Sequence, residues 1–352
     1  MRMIYVGTLA TEPDRDTGWM REFANLGWEV IPSSSQFTTT GGRLLSKVQR
    51  RFNIGPGNRI MQQTFLNLVR DQQPSWIHFR LPIEFSRSTI QALQDRGVIV
   101  TQYFNDDPFS PRTPFGLHWK FRQALSAYDG HFVFRAHNVD AYHQAGALHV
   151  FHCPPTYDPS EHTLEQRLSD GSFLADAAFI GHWENDDRMG YLEALQSSGL
   201  TLILKGGFWD DAIKNRPLGI LAPVGHAFGD DYKRIYSNVI AGLCFFSKIN
   251  RDTWTRRALE IVAVGGVLVC ERTAEAESYF RDRKEACFFS SSDELISIVQ
   301  QLKSDLPMRD KIQKAGYARL LSGRHSLRDR AQQINSFVLS RLAHLSVNNS
   351  SF

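Results

Sequence analysis

Short apolar runs alternate along the chain with longer stretches of helical periodicity, the pattern of parallel α/β units. In the first half, Met3–Val6, Trp28–Ile31, Trp76–Phe79, Val98–Phe104, His131–Phe134 and His149–Phe151 predict strands. Helices are predicted over Gly18–Leu26, Ser88–Arg96 and Asp140–Ala145, the first two stopped by Gly27 and Gly97. A second series then begins. Its strands are Asp176–Ile180, Thr201–Leu204, Ile240–Phe246, Val267–Cys270 and Ala286–Phe289. Its helices are Arg188–Ser197, Asp230–Ser237, Thr255–Val262, Ser292–Lys303, Pro307–Leu321 and Ser326–Leu345. Between the series, Cys153–His162 carries Pro154, Pro155 and Pro159 and reads as a linker. The pattern predicts two Rossmann-like parallel-sheet α/β domains, residues 1–160 and 173–330, with 331–352 as a C-terminal helix and tail. Such sheets bind ligands beyond their carboxyl ends, so a cleft between the two domains is expected.

Composition narrows the classes. The 352 residues are 42% hydrophobic and 22% charged, which excludes collagen-like, disordered and coiled-coil chains. A net charge of +3 is too small for a dedicated nucleic-acid binder. Cys153, Cys244, Cys270 and Cys287 form no C-x-x-C pair, so no thiol metal or redox motif exists. Cys244 and Cys270 sit in apolar runs and read as buried core thiols, which suits a reducing cytoplasm. No signal-type apolar region opens the chain, and no run reaches the roughly 20 apolar residues of a membrane span. Any membrane contact is therefore expected to be peripheral, at the inner face.

The chemistry concentrates in Asp252-Thr253-Trp254-Thr255-Arg256-Arg257-Ala258-Leu259-Glu260, a polar loop running into a helix after an apolar strand. With the helix entered at Thr253–Thr255, Asp252 is the expected N-cap and the following amides face an anion. Arg257 and Glu260, three apart, share a helix face, and Gly265-Gly266 allows a tight exit. A helix N-terminus, an arginine and two acids suit a diphosphate and its neighbouring hydroxyls. The same spacing fits a plain cap and an Arg257–Glu260 ion pair.

Asp252-x7-Glu260 resembles the Glu-x7-Glu motif of retaining GT-B glycosyltransferases. The longer run resembles the glycosyltransferase-like proteins of the spore-maturation CgeB group. It comprises Arg257-Ala-Leu-Glu260, Gly265-Gly266, Glu275-Ala-Glu-Ser-Tyr279-Phe280, Glu285-Ala-Cys-Phe-Phe289, Ala315-Gly316-Tyr317 and His325-Ser-Leu-Arg328. Upstream, Phe179-Ile-Gly181, Leu204-Lys205-Gly-Gly-Phe-Trp209 and Val224-Gly225-His226 continue it through the donor domain, and Asn105-Asp106-Asp107-Pro108 falls in order before them. The resemblance implies a GT-B fold, with a C-terminal helix crossing back, and a glycosyltransferase using a nucleotide-diphosphate-sugar donor with no separate cofactor. It implies that Glu260 accepts from ribose hydroxyls and that Asp252 faces the transferred sugar. Arg257, Lys205 and Arg188 would neutralise the diphosphate together with amides from Thr253 onward, and the base would lie near Gly225. Such fixed cations would stabilise the leaving diphosphate without a metal.

In the first half, Asp106 follows an apolar strand and is a candidate general base toward an acceptor hydroxyl; an Asx turn is its plain alternative. Asp106-Asp107 and Asp186-Asp187 superficially suggest the metal motif of GT-A enzymes, which the two-series organisation argues against. His118, His137 and His143 could line the same edge. Residues 41–70 hold Arg43, Lys47, Arg50, Arg51, Arg59 and Arg70 and no acid, with Leu44, Leu45, Val48 and Phe52 among the first four cations. This stretch suits a solvated helix face, a membrane surface or an anionic acceptor. Glycan or lipid-linked acceptors fit the reading. Its rivals are a GT-B-fold nucleotide-sugar epimerase and a non-catalytic surface or spore-assembly protein.

Overall fold

The structure, a computed structural model, describes residues 1–9, 13–165, 167–215, 218–219 and 224–349. The chain divides into two compact units, Met1–Pro154 with Leu327–Phe352, and Pro155–Ser326.

In the first unit the strands are β1 (Arg2–Gly7), β2 (Glu29–Ser34), β3 (Trp76–Arg80), β4 (Ile99–Phe104), β5 (Gly130–Val133) and β6 (Val150–His152). Among the described residues they form one parallel sheet in the order β2-β1-β3-β4-β5-β6. Strands β3, β4 and β5 are buried along their whole length, which is why they read as unbroken apolar runs rather than alternating ones. The helices are α1 (Pro13–Asn25), α2 (Arg43–Phe52), α3 (Pro56–Gln72), α4 (Arg87–Gln94), α5 (Trp119–Ala124) and α6 (Asn138–Gln144). One sheet face packs Ile4, Val6, Phe79 and Phe104 against Phe65, Ile90 and Phe121. The other packs Tyr5, Trp76 and Phe132 against Trp19 and Phe23 of α1 and against Ala331, Ile334 and Val338 near the chain end.

The second unit holds β7 (Ala175–Ile180), β8 (Leu202–Lys205), β9 (Val239–Cys244), β10 (Leu268–Glu271) and β11 (Cys287–Phe289), parallel in the order β11-β10-β9-β7-β8. Its helices are α7 (Arg188–Ser197), α8 (Asp210–Asn215), α9 (Gly229–Ser237), α10 (Arg256–Ala263), α11 (Ala274–Tyr279), α12 (Ser292–Ser304) and α13 (Leu306–Ser322). The last helix, α14 (Leu327–Asn349), returns to the first unit. Trp28 Nε1 donates to Asn335 Oδ1 at 2.7 Å and Gln333 Nε2 to the His152 carbonyl at 3.0 Å. Ile334 and Val338 are fully buried there, worth about 1.5–3 kcal/mol each. The sequence boundaries at 160, 173 and 330 compare with divisions after Pro154 and Ser326, the latter falling where α14 starts. The tail beyond Asn349 lies outside the described residues.

All four cysteines are buried and free. No helix among the described residues is long and apolar enough to cross a membrane. Nor, among them, does any group of three or more His, Cys, Asp or Glu side chains stand ready to hold a metal ion.

Candidate functional site

The residues carrying the predicted chemistry gather at the carboxyl edge of the second sheet, the address expected for ligands of a parallel sheet. Three loops meet there through main-chain bonds. Gly181, just past β7, donates to the Lys205 carbonyl at 2.8 Å, and Trp183 donates to Gly207 at 3.0 Å. Gly206 donates to the Gly225 carbonyl at 2.8 Å, and Trp209 Nε1 to the Gly181 carbonyl at 2.8 Å. Glycine is required at 206: its φ is +131°, and a Cβ would lie 2.0 Å from the Gly181 carbonyl oxygen. Around this knot His182 meets Phe208 edge-on at 5.1 Å, and His226 stacks on Phe228 at 5.5 Å. Both phenylalanines are largely exposed. An open pocket of about 720 Å3 adjoins, lined by Trp183, Glu184, Asn185, Phe208, Asp210 and Ile249. That volume suits a ligand of nucleotide size.

The β9–α10 connection departs from the sequence expectation. Helix α10 starts at Arg256 with Thr255 in extended geometry before it, so Asp252 is not its N-cap. The cause lies in what holds residues 252–254. The Asp252 amide closes a turn onto the Ser247 carbonyl at 2.8 Å. Thr253 is exposed; its hydroxyl donates to the Glu275 carboxylate and its carbonyl accepts from Thr273 Oγ1 at 2.6 Å. Trp254 is buried and stacked on Tyr279 at 4.5 Å. The chain is tied sideways to the start of α11 until Thr255. The amides that face outward at the helix start are therefore those of Arg256 and Arg257, not those of Thr253 and Trp254.

Glu260 and Arg257 project from α10 in different directions. Glu260 is buried; its Oε2 accepts from Tyr232 of α9 at 2.8 Å, and its Oε1 is paired with Arg256 Nε and lies 3.5 Å from His162 Nε2. Burial pushes the Tyr232 phenol well above its usual range, helped by the Glu260 charge, so it remains a donor. The ion-pair partner of Glu260 is thus Arg256, four residues before it, rather than Arg257, three before it. The Arg257 guanidinium turns to the end of β7, where it lies 5.4 Å from the Phe179 ring centroid. A Cβ at Gly181 would meet that guanidinium at 3.1 Å, so glycine lets the cation lie against the backbone.

Arg188, expected at a diphosphate, is committed elsewhere. It is only 4% exposed and forms a fork with Asp186, Nε to Oδ1 and Nη2 to Oδ2, both at 2.7 Å. Its Nη1 also donates to the His182 carbonyl. The arginine therefore holds the loop after β7 in shape, and Asp186 is absorbed by the same fork. Lys205 ends β8 half-buried beside Gly206, and Gly225 lies where a Cβ would meet nothing within 4 Å.

Asp106 belongs to the other unit, half-buried in a bend after β4. The Asx turn forms at its neighbour: Asp107 Oδ1 accepts from the Phe109 amide at 3.0 Å, and Oδ2 faces His137 Nε2 at 3.4 Å. His118 is packed edge-on against Phe104, and burial, then Arg122, lowers it to about 4. His143 bonds the Ala147 carbonyl at 3.0 Å. His118 and His137 thus both feel the Asp107 carboxylate, while His143 has its own local partner.

Several site residues escaped the sequence reading. His162 sits in the linker-like stretch and reaches Glu260 only through the fold. Arg256 stands four before Glu260, a spacing that signals a helix neighbour as well as that of Arg257 does. Apart from that site, in the first unit, Asp16 and Arg80 form a buried pair at the carboxyl ends of β1 and β3, joined by Tyr5 at 2.8 Å and Thr8 at 2.9 Å.

Residues 188–336 match a family model described as glycosyl transferase-like. No curated protein matches the chain at a significant level. Among solved structures, sucrose-phosphate synthase from Thermosynechococcus elongatus aligns with a TM-score of 0.71 at 12% identity, covering 98% of this chain and 100% of that one. HepE from Anabaena, in complex with UDP-glucose, gives 0.66 at 13% identity, covering 97% and 100%. A putative UDP-N-acetylglucosamine 2-epimerase from Listeria monocytogenes gives 0.59 at 10%, covering 97% of each chain. The likeness shows the fold, which is GT-B, two parallel-sheet α/β domains.

Proposed function

We propose that this chain is a glycosyltransferase of the hexosyltransferase type, moving a sugar from a nucleoside-diphosphate donor to a glycan or lipid-linked acceptor hydroxyl. The observation that carries the reading is that Arg257 and Glu260, both on the helix that follows β9, fall within the matched segment, with the Arg257 guanidinium at the carboxyl end of β7. In this reading Glu260, presented by Tyr232 and Arg256, accepts from the ribose hydroxyls. Arg257, the outward amides of Arg256 and Arg257, and Lys205 take the diphosphate. The base lies along Gly225 and His226, with Phe228 as a stacking surface. Asp252 faces hydroxyls of the transferred sugar, as the acid-x7-acid spacing of retaining enzymes suggests, and Thr253 fixes that turn. Asp106 serves the acceptor as general base. Arg188 acts indirectly, by fixing the His182 loop.

The chemistry follows from charge. As the glycosidic C–O bond breaks, the leaving diphosphate gains negative charge, and fixed cations and helix amides stabilise it without reorganising. Activity that survives a chelator is therefore part of the proposal. UDP-sugars are the first donors to try, given the UDP-glucose complex of HepE. The order of motifs supports the CgeB-like subgroup, and a cytoplasmic site of action suits nucleotide-sugar use.

The test has two steps. A panel of nucleoside diphosphates is screened by thermal shift. A true ligand at about a hundredfold excess over its Kd stabilises the fold by roughly 2.7 kcal/mol. Product analysis with the selected nucleotide sugar then follows, with and without an acceptor. Absence of any shift would favour the assembly role, and an isomerised sugar formed without acceptor would favour the epimerase.

A further inference from the structure

Helix α2 covers the first unit with only one of its faces. Gln49 is the buried residue, with its side chain bonded to Thr40 in both directions, at 2.8 and 3.1 Å. At 100° per residue, Leu44, Leu45, Val48 and Phe52 share one flank and Arg43, Lys47, Arg50 and Arg51 the adjoining flank. A surface helix ordinarily turns its apolar stripe inward. Here Leu44 is 77% exposed and Leu45 52%, and Val48 and the following Ile54 are exposed too. The apolar flank continues onto another loop. Phe115, 88% exposed, meets the Phe52 ring edge-on at 6.2 Å. The two segments are fastened together, since Trp119 Nε1 donates to the Phe52 carbonyl at 3.1 Å and Asn53 Nδ2 to the Leu117 carbonyl at 3.4 Å.

We propose that α2 and Phe115 seat this protein on an anionic phospholipid bilayer. Leu44, Leu45, Val48 and Phe115 enter the acyl boundary while Arg43, Lys47, Arg50 and Arg51 meet the headgroup phosphates. Charge complementarity selects this occupant. Residues 41–70 contain no Asp or Glu, so nothing on the stretch repels a phosphate layer. A nucleic acid would satisfy the cations and leave the leucines in water. A second copy packed symmetrically through α2 would bring two sets of the same four cations together. Only a surface that is apolar beneath and anionic above matches both flanks of a helix lying in its plane. The inference goes beyond the proposed transfer reaction and holds whatever the donor is.

Co-sedimentation of the full chain with vesicles tests it, comparing phosphatidylcholine alone with phosphatidylcholine containing phosphatidylglycerol. Binding is expected to the mixed vesicles and to weaken with salt. Each of Arg43, Lys47, Arg50 and Arg51 changed to Gln should lower partitioning about fivefold, and all four together several hundredfold. The triple change Leu44→Ser, Leu45→Ser, Val48→Ser should lower it by at least about tenfold with every cation kept. Phe115→Ser should weaken it as well. These side chains face solvent, so unchanged melting is expected and serves as the folding control. Equal binding to neutral and anionic vesicles, or full binding by the serine variant, would overturn the proposal. So would sedimentation equilibrium showing a dimer that Leu44→Ser abolishes, because that assigns the face to a second copy.

Discussion

Replacing Glu260 by Ala separates a ligand-binding carboxylate from one that only fastens helices. The side chain holds Tyr232 at 2.8 Å and is paired with Arg256 and His162. Its removal therefore weakens the fold in either case. The half-buried Tyr232 hydroxyl loses a charged acceptor, an effect of about 1.5–3 kcal/mol. The Arg256 pair is part-exposed on the arginine side and contributes under about 1 kcal/mol. For a unit of this size each kcal/mol moves Tm by about 2–4 °C. Tyr232→Phe serves as the companion, removing the same hydrogen bond while leaving the carboxylate in place. If Glu260 accepts from ribose hydroxyls, Ala at 260 forfeits charge-assisted bonds worth roughly 1.5–3 kcal/mol, or about 10–150-fold in Kd for the nucleotide. Tyr232→Phe should match much of the Tm loss with little change in Kd. Titration calorimetry of both variants against a nucleoside diphosphate provides the comparison. Equal Kd values for wild type and a folded Glu260→Ala protein would refute the ribose role and leave Glu260 as a clamp between α9 and α10.

Two further outcomes follow from the geometry. Gly206→Ala puts a methyl group 2.0 Å from the Gly181 carbonyl oxygen at a φ of +131°, strain of order 1–3 kcal/mol. It should lower Tm by several degrees and disrupt the loop knot, whereas Gly225→Ala, with no neighbour within 4 Å, should leave Tm unchanged; identical melting of the two variants would contradict the reasoning. In the first unit, burial holds His78 and His131 at about 3 and His118 at about 4, against an ordinary 6.5. The unfolded chain thus takes up protons first, so stability is intact above pH 6.5 and falls as pH drops toward those folded values, by about 1.4 kcal/mol per pH unit for each ring. Urea melts across that window read the slope, and a flat profile would count against neutral buried rings.

The sheet strands were legible because a strand buried on both faces writes itself as an apolar run, and β3, β4 and β7 follow their runs within a residue or two. Most helix starts were as legible, α7 and α12 beginning at the expected residue and α10 one residue later, but the N-cap of α10 was not. Residues 252–254 carry a plausible capping sequence, yet side bonds to α11 postpone α10 to Arg256, and those partners lie some twenty residues onward. Arg256 and Arg257 stand four and three residues before Glu260, so both neighbour it on the helix, and only the folded side chains select Arg256 as the ion-pair partner. Arg188 was legible as a cation but not as a committed one, since its fork with Asp186 depends on side-chain orientation. His162 meets Glu260 across about a hundred positions of sequence, and no local pattern announces such a pairing.

The return of α14 bears on how the chain is made. On the ribosome, residues 155–326 emerge as one uninterrupted stretch and can fold as they appear, the usual behaviour of a contiguous domain. The earlier-born partner must wait. Until α14 follows, Trp28, Trp76 and Phe132 lack the cover supplied by Ala331, Ile334 and Val338. The first half to be translated is therefore the last to mature, and a nascent chain halted before position 327 would display a greasy, chaperone-attracting face.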